Sequence, residues 1–210
     1  MKKGSLALVV LVGVVVAGVV TVRLLTPWMD RYGATDAELA AIFPGDELVP
    51  NPASFVNRAI TIHASPQDIY PWLLQLDAEK GGWYSYDWLE TNLLRCPMTN
   101  ADRIHPEWQD RQVGDLVRMC PGAAGPPPYT VAQLHPNQAM VLGHQENDEW
   151  VDLYQFVITP QADGSSRLIL RTRTMMTGGI WDIIHPGVFI MERGMLHGIK
   201  ARAEALAQAG

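Results

Sequence analysis

The run from Gly4 to Val22 contains no charged residue and is rich in Val and Leu, so water is a poor home for it unless something buries it. At helical rise it extends about 28 Å, which matches a hydrocarbon core of roughly 30 Å. Lys2 and Lys3 precede it, and Arg23 and Arg31 follow. A transmembrane anchor is the expectation. The competing reading is a cleaved secretory leader, which would want a shorter apolar region and a small-x-small cleavage site, and nothing like A-x-A follows the run. Trp28 stands where an interfacial aromatic belongs. The distribution of basic residues leans toward a cytoplasmic N-terminus and an exported domain.

Behind the anchor, which takes residues 1–28, the chain divides into a linker with a short helix at 29–56 and one domain at 57–210. The chain of 210 residues has seven Trp and close to half its residues apolar, enough for a sizeable core. A net charge of -6 and no cluster of Lys and Arg speak against a nucleic-acid partner. Cys96 and Cys120 fit neither a C-x-x-C redox motif nor a zinc site. Two readings stay open for them: a disulfide if the domain is exported, or two unpaired buried thiols.

Thr35, Asp36, Ala37 and Glu38 form a capping-box pattern that opens a short helix, which Pro44 and Gly45 must end. Arg58 to His63 alternates around Ile60 and Ile62 and reads as a strand. Ser65 and Pro66 start a helix through Trp72 to Leu74, with Pro71 one turn in. Gly81 and Gly82 break the chain, and Trp83 to Leu94 is expected to form a second, aromatic-rich helix. Strands follow near Asp115 to Met119, Tyr129 to Leu134, Ala139 to Gly143, Trp150 to Thr159 and Arg167 to Met176, with Pro- and Asn-containing turns between them. A long amphipathic helix closes the chain from about Pro186 to Ala207.

This order, with GGWYSYDWLE at Gly81 to Glu90, ADRIHPEWQ at Ala101 to Gln109, VGDLV at Val113 to Val117 and FIMERGMLHGIKARAE at Phe189 to Glu204, resembles the START-like (SRPBCC) superfamily. Within it the chain looks like an uncharacterised, membrane-anchored bacterial branch of the polyketide cyclase/dehydrase and lipid transport type. The resemblance implies an α+β helix-grip fold, a curved antiparallel sheet around the long C-terminal helix with a ligand cavity between them. It names no ligand and carries no shared catalytic motif.

On the last helix, Val188, Met191, Met195, Leu196, Ile199 and Ala203 form one apolar stripe, with Arg193, His197, Lys200 and Glu204 opposite. Glu192 falls in the middle of the stripe, where a bare carboxylate is costly. It is read as a structural ion pair with an arginine of the sheet, as a ligand-facing or acid/base group, or as lying on a wetter face than the pattern implies. Arg171 and Arg173 share one face of the last strand and point either to solvent or inward, toward Glu192 or an anionic ligand group. Trp83, Tyr84 and Trp88 offer flat apolar surface, either as core packing or as pocket lining. Tyr84 and Trp88, four apart on the expected helix, are assigned to the cavity mouth. Tyr154 and Phe156, with Met191, Met195 and Leu196, complete the expected ligand-facing set.

His105, His135, His144, His185 and His197 make no H-E-x-x-H-like ligand pair, and Asp182 with His185 lies next to Pro186 in an expected loop, so no metal is expected. No P-loop, G-x-G-x-x-G or G-x-S-x-G pattern is present, and no cofactor is expected. The expected partners are the lipid bilayer and a small hydrophobic ligand. An enzyme of the cyclase or dehydrase type, with Glu192 or a histidine as acid/base, is the alternative, and an anchored interaction domain with a filled core is a third reading.

Overall fold

The computed structural model describes residues 3–122 and 125–209, the side chains of 3–9, 14–16 and 180–182 excepted. Helix α1 (Lys3–Asp30) carries the apolar run onward through Pro27. Its stretch from Val10 to Asp30 is strongly apolar, and none of its described side chains ahead of Met29 is buried in the fold. It is long and apolar enough to cross a membrane. Helix α2 (Asp36–Ala40) is capped as its sequence requires: Glu38 N–H donates to Thr35 Oγ1 at 3.1 Å, and Thr35 N–H donates to Glu38 Oε2 at 2.7 Å. Both bonds satisfy backbone donors left orphaned at a helix start.

Six strands follow: β1 (Ser54–Ile62), β2 (Leu116–Val117), β3 (Tyr129–His135), β4 (Ala139–Glu146), β5 (Glu149–Pro160) and β6 (Ser166–Thr174). They form one curved antiparallel sheet in the order β1-β6-β5-β4-β3-β2. After β1 the chain crosses to the far edge through helices α3 (Pro66–Leu74) and α4 (Asp87–Asn92), then meanders back until β6 lies beside β1. Arg111 holds this crossing in place: its Nε and Nη2 donate to the carbonyls of Leu74 and Leu76 at 2.6 and 2.9 Å, at the C-terminal end of α3 where carbonyls lack helical partners. The last helix, α5 (Ile180–Ala209), lies across the inner face of the sheet. This is the helix-grip arrangement.

Side-chain alternation divides the sheet into two layers. Leu168 and Leu170 of β6, Phe156 and Ile158 of β5 and Ile62 of β1 join α3 and α5 in the inner core, with Met195, Leu196 and Ile199. Ile169, Val157 and Ala59 point the other way, under Ala34 and Phe43. Val141 and Leu153 do the same under Leu48 and Val49. The chain from Arg31 to Ala53 is therefore a strap packed over the outer face.

Two expected elements differ. The helix expected over Trp83 to Leu94 shrinks to α4, because Gly82 and Tyr84 have positive φ angles of 74° and 57°. Tertiary contact holds that backbone. The Tyr84 N–H donates to Asn100 Oδ1 at 2.5 Å, and the Tyr84 backbone presses so closely on α5 that a Cβ at Gly198 would lie 1.9 Å from the Tyr84 carbonyl oxygen. The last helix starts at Ile180 instead of Pro186 and takes the proline inside it. Its early part is held from outside, by Asp30 against His185 and Trp28 against Phe189.

Candidate functional site

Two charged pairs interrupt the largely apolar inner face of the sheet, Arg58 with Glu192 and His144 with Asp152. Arg58 on β1 is 1% exposed and forms an ion pair through Nη1 with Oε2 of Glu192 on α5, itself 5% exposed. Arg58 Nε donates to the Met29 carbonyl at 2.7 Å, in the last turn of α1. Its Nη2 stands 3.9 Å from Asp30 Oδ1, whose own hydrogen-bond partner is His185 Nε2 at 2.7 Å. The guanidinium lies over the Phe189 ring at 5.3 Å. Burial pulls the Arg58 pKa down to about 10, opposed by Tyr154 and Asp30. Among the described residues, Arg58 Nη2 and His185 Nδ1 are two of eight buried side-chain atoms without a hydrogen bond, Asn57 Nδ2, Trp72 Nε1 and Arg111 Nη1 being others.

Tyr154 connects this pair to an aromatic group. Its ring lies 6.1 Å from Trp83, 5.7 Å from Tyr129 and 5.2 Å from Phe156. Burial raises its phenol pKa, so it is a neutral hydroxyl. Behind it Tyr129 stacks on His144 at 4.2 Å. His144 reaches Asp152 Oδ2 through Nδ1 and the Pro127 carbonyl through Nε2, both at 3.1 Å. Both acceptors lack a proton to give, so both ring nitrogens donate and the imidazolium form is favoured. That histidine has no nitrogen left for a substrate.

The residues expected to face a ligand separate into three groups. Trp83, Tyr84, Tyr154, Phe156, Met195 and Leu196 converge in the inner core, and Met191 lies half-buried at its margin, accepting from Ser85 Oγ through its carbonyl at 3.0 Å. The space expected to be an open cavity is occupied by these side chains. Trp83 Nε1 donates to the Arg118 carbonyl at 2.9 Å, and the Tyr84 hydroxyl to the Trp72 carbonyl at 3.2 Å. Trp88 is 72% exposed and shares no helix face with Tyr84, so the expected pair at the cavity mouth does not form. The reason is the left-handed Tyr84 backbone, which lies outside α4.

Arg171 and Arg173 are corrected as well. They lie on the outer face, neither in solvent nor near Glu192. Arg171 bonds Asp46 Oδ2 at 2.7 Å, the Ala41 and Glu38 carbonyls at 2.9 and 2.7 Å, and Asn57 Oδ1 at 3.1 Å. Arg173 donates to the Val49 and Pro50 carbonyls at 2.8 and 2.9 Å. Their carbonyl and carboxylate partners belong to the strap.

Arg58 was the residue missed, and the signal for it was present. On a strand that alternates around Ile60 and Ile62, parity places Arg58 on the same face. Cys96 and Cys120, left open by their spacing, are joined in a disulfide with Cα atoms 5.1 Å apart. Among the described residues no three metal-ligating side chains converge. Asp182, whose spacing to His185 was set aside as a metal pair, has its side chain outside the described residues, and His185 itself bonds Asp30.

No protein family's sequence profile matches the chain, and no curated protein matches it. Solved structures with a similar chain path include the Aha1 dimer of Colwellia psychrerythraea, at 18% identity and a TM-score of 0.44 over 72% of this chain and 97% of that one. CalC of Micromonospora echinospora, a self-sacrificing resistance protein, is 11% identical with a TM-score of 0.47 over 74% and 97%. Ms6760 of Mycobacterium smegmatis is 14% identical with a TM-score of 0.45 over 74% and 91%. No residue role passes from them to this chain.

Proposed function

We propose that the protein is a single-pass, membrane-anchored domain of the START-like type that binds a small apolar ligand between its sheet and α5. The observation that carries this reading is a buried ion pair, Arg58 with Glu192, set beside apolar and aromatic side chains, with one guanidinium nitrogen that makes no hydrogen bond and stands 3.9 Å from Asp30. Buried donors are nearly always satisfied, and ligand pockets combine apolar walls with a few orienting polar groups. The favoured ligand has an apolar body and one hydrogen-bond-accepting head. Met191 and Met195, flexible and polarizable, are the side chains that give way to it.

Two features support an uncleaved anchor and an exported domain. Met29, at the end of α1, is buried in the fold and accepts from Arg58, so removal of a leader up to that point would strip a partner from a buried charge. The Cys96–Cys120 disulfide suits an oxidising compartment. Both thiols should resist a membrane-permeant maleimide in intact cells until a reductant is added; labelling without reductant would place the domain in the cytoplasm.

The test of the ligand reading is native mass spectrometry of the full-length protein, with bound small molecules released and identified. A recurring apolar species other than bulk phospholipid supports it. A clean apo mass after incubation with lipid extracts sinks it and favours the second reading, an anchored interaction domain, which rests on the filled inner face. An enzyme using Glu192 would lose turnover but keep ligand and fold in Glu192→Gln. Its pairing with Arg58 argues instead for a fixed carboxylate.

A further inference from the structure

The span does not hand over to a free tether. Trp28 and Tyr32 each pack on Phe189 of α5, at 5.3 and 5.6 Å, and Asp30 bonds His185. Residues 185–189 of α5 are thereby held at the level where the apolar run ends. Along the same helix, Ile183, Gly187 and Ile190 recur at spacings of four and three, one face of a helix. All three are exposed, Ile183 at 75%. The stripe carries no charge. It ends at Gly194, where a Cβ would meet the Tyr86 ring at 2.6 Å, the residue that opens α4.

Helix α4 then continues the apolar surface. Trp88 is 72% exposed, and Leu93 and Leu94 at its C-terminal end are exposed beside an exposed Arg95. Of the two acids of α4, Glu90 is buried, its carboxyl pushed up to about 7 by burial and by Asp87, while Asp87 stays exposed with its carboxylate engaged by Asn100. An aromatic residue, leucines and a flanking arginine are what a membrane-water interface accommodates, with the guanidinium reaching phosphate.

We infer that the exposed apolar edge made by α4 and the first turns of α5 rests on the phospholipid bilayer, so that the domain is held to the membrane at two places. The inference rests on the proposed anchor. Continuity favours a bilayer over a protein partner: the edge adjoins the joint where the uncovered span ends, and the joint leaves the domain no free linker with which to swing away.

The test is site-specific photocrosslinking of the full-length protein in its native membranes, with a benzophenone amino acid placed in turn at Val20, Trp88, Ile183 and Asp163. Asp163, in the β5–β6 turn, lies at the sheet end opposite Thr174 and serves as the negative control. All four positions are exposed, and the side-chain bonds that Asp163 accepts come from Ser165 of its own turn. The expected result is phospholipid adducts at Val20, Trp88 and Ile183, severalfold above Asp163. Adducts at Val20 without adducts at Trp88 and Ile183, or a second protein captured there instead, overturn the inference and leave the anchor standing. No lipid adduct at Val20 removes the anchor and the inference with it.

Discussion

The two faces of the sheet are made by the same strands, yet they bury arginine in opposite ways. On the inner face, Arg58 has one close carboxylate, Glu192, from a helix distant in sequence, with Asp30 farther off at 3.9 Å and the Phe189 ring against the guanidinium. On the outer face, Arg167, Arg171 and Arg173 are held by the strap. Arg167 donates to Glu38 through Nε at 2.7 Å and to the Gly33 carbonyl at 2.7 Å, and Arg171 spreads four bonds over carbonyls, Asn57 and Asp46. A charge distributed over many acceptors loses little when one is removed. A buried charge that depends mainly on one close counter-ion loses far more when that partner goes. The outer pattern is that of an interlayer seam, whereas the inner one is that of a site.

The largest effect is expected on the inner face. Arg58→Ala strands the Glu192 carboxylate in the core and should cost about 3–5 kcal/mol, measured by urea unfolding of the full-length protein in micelles. The paired replacement Arg58→Met with Glu192→Leu should recover most of that loss, because removing both charges also removes their desolvation. A single variant as stable as wild type would mean that the pair is not the isolated buried charge described.

On the outer face, Asp46→Ala removes a carboxylate from Arg171 and Arg173 but leaves their carbonyl acceptors. The expected cost is smaller, about 1.5–3 kcal/mol, the range for a hydrogen bond to a charged group. Amide exchange should rise across the strap at 36–48 while β5 stays protected. Exchange rising equally throughout the sheet would erase the distinction between the two faces. Thr35→Ala, which removes one side of the capping box of α2, should cost about 1 kcal/mol and loosen only the strap; the readout is the same exchange experiment.

The smallest effect is a pH dependence at the inner aromatic group. The hydrogen bond to Asp152, aided by the Pro127 carbonyl, raises the His144 pKa against the opposing effect of burial. A raised folded pKa means that the stabilisation is complete below the ordinary value of about 6.5 and is lost as pH rises through the folded value. His197 acts with the opposite sign, since burial, Arg193 and Lys200 lower its pKa. The measurement is therefore the difference in stability between wild type and His144→Gln, which should shrink as pH climbs from below 6.5 upward. A constant difference would show that the imidazolium contributes nothing.

Much of the element order could be read from local chemistry. The capping box at Thr35, the Ser65-Pro66 start of α3, the alternating strands and the amphipathic α5 each depend on residues within a few positions of one another, so their physics is present in the chain as written. The failures share a cause. Trp83 to Leu94 has the composition of a helix, but Tyr84 is bent into a left-handed backbone by Asn100 and by contact with Gly198, more than a hundred residues away. Arg171 and Arg173 share a face by parity, and parity alone does not say which face the helix takes. The strap decides that.

What the sequence by itself determined is the apolar span, the alternation that makes a two-faced sheet, and the presence of a carboxylate in the apolar stripe of the last helix. These follow from periodicity and hydropathy, which act over a few residues. Only the tertiary structure decided that Glu192 meets Arg58 and that Arg171 and Arg173 lie beneath the strap. It also joined Cys96 to Cys120 and left Trp88 on the outside of the grip. The partner of a buried charge or a thiol is whatever the fold brings to it, and that is set by packing between segments far apart in the chain.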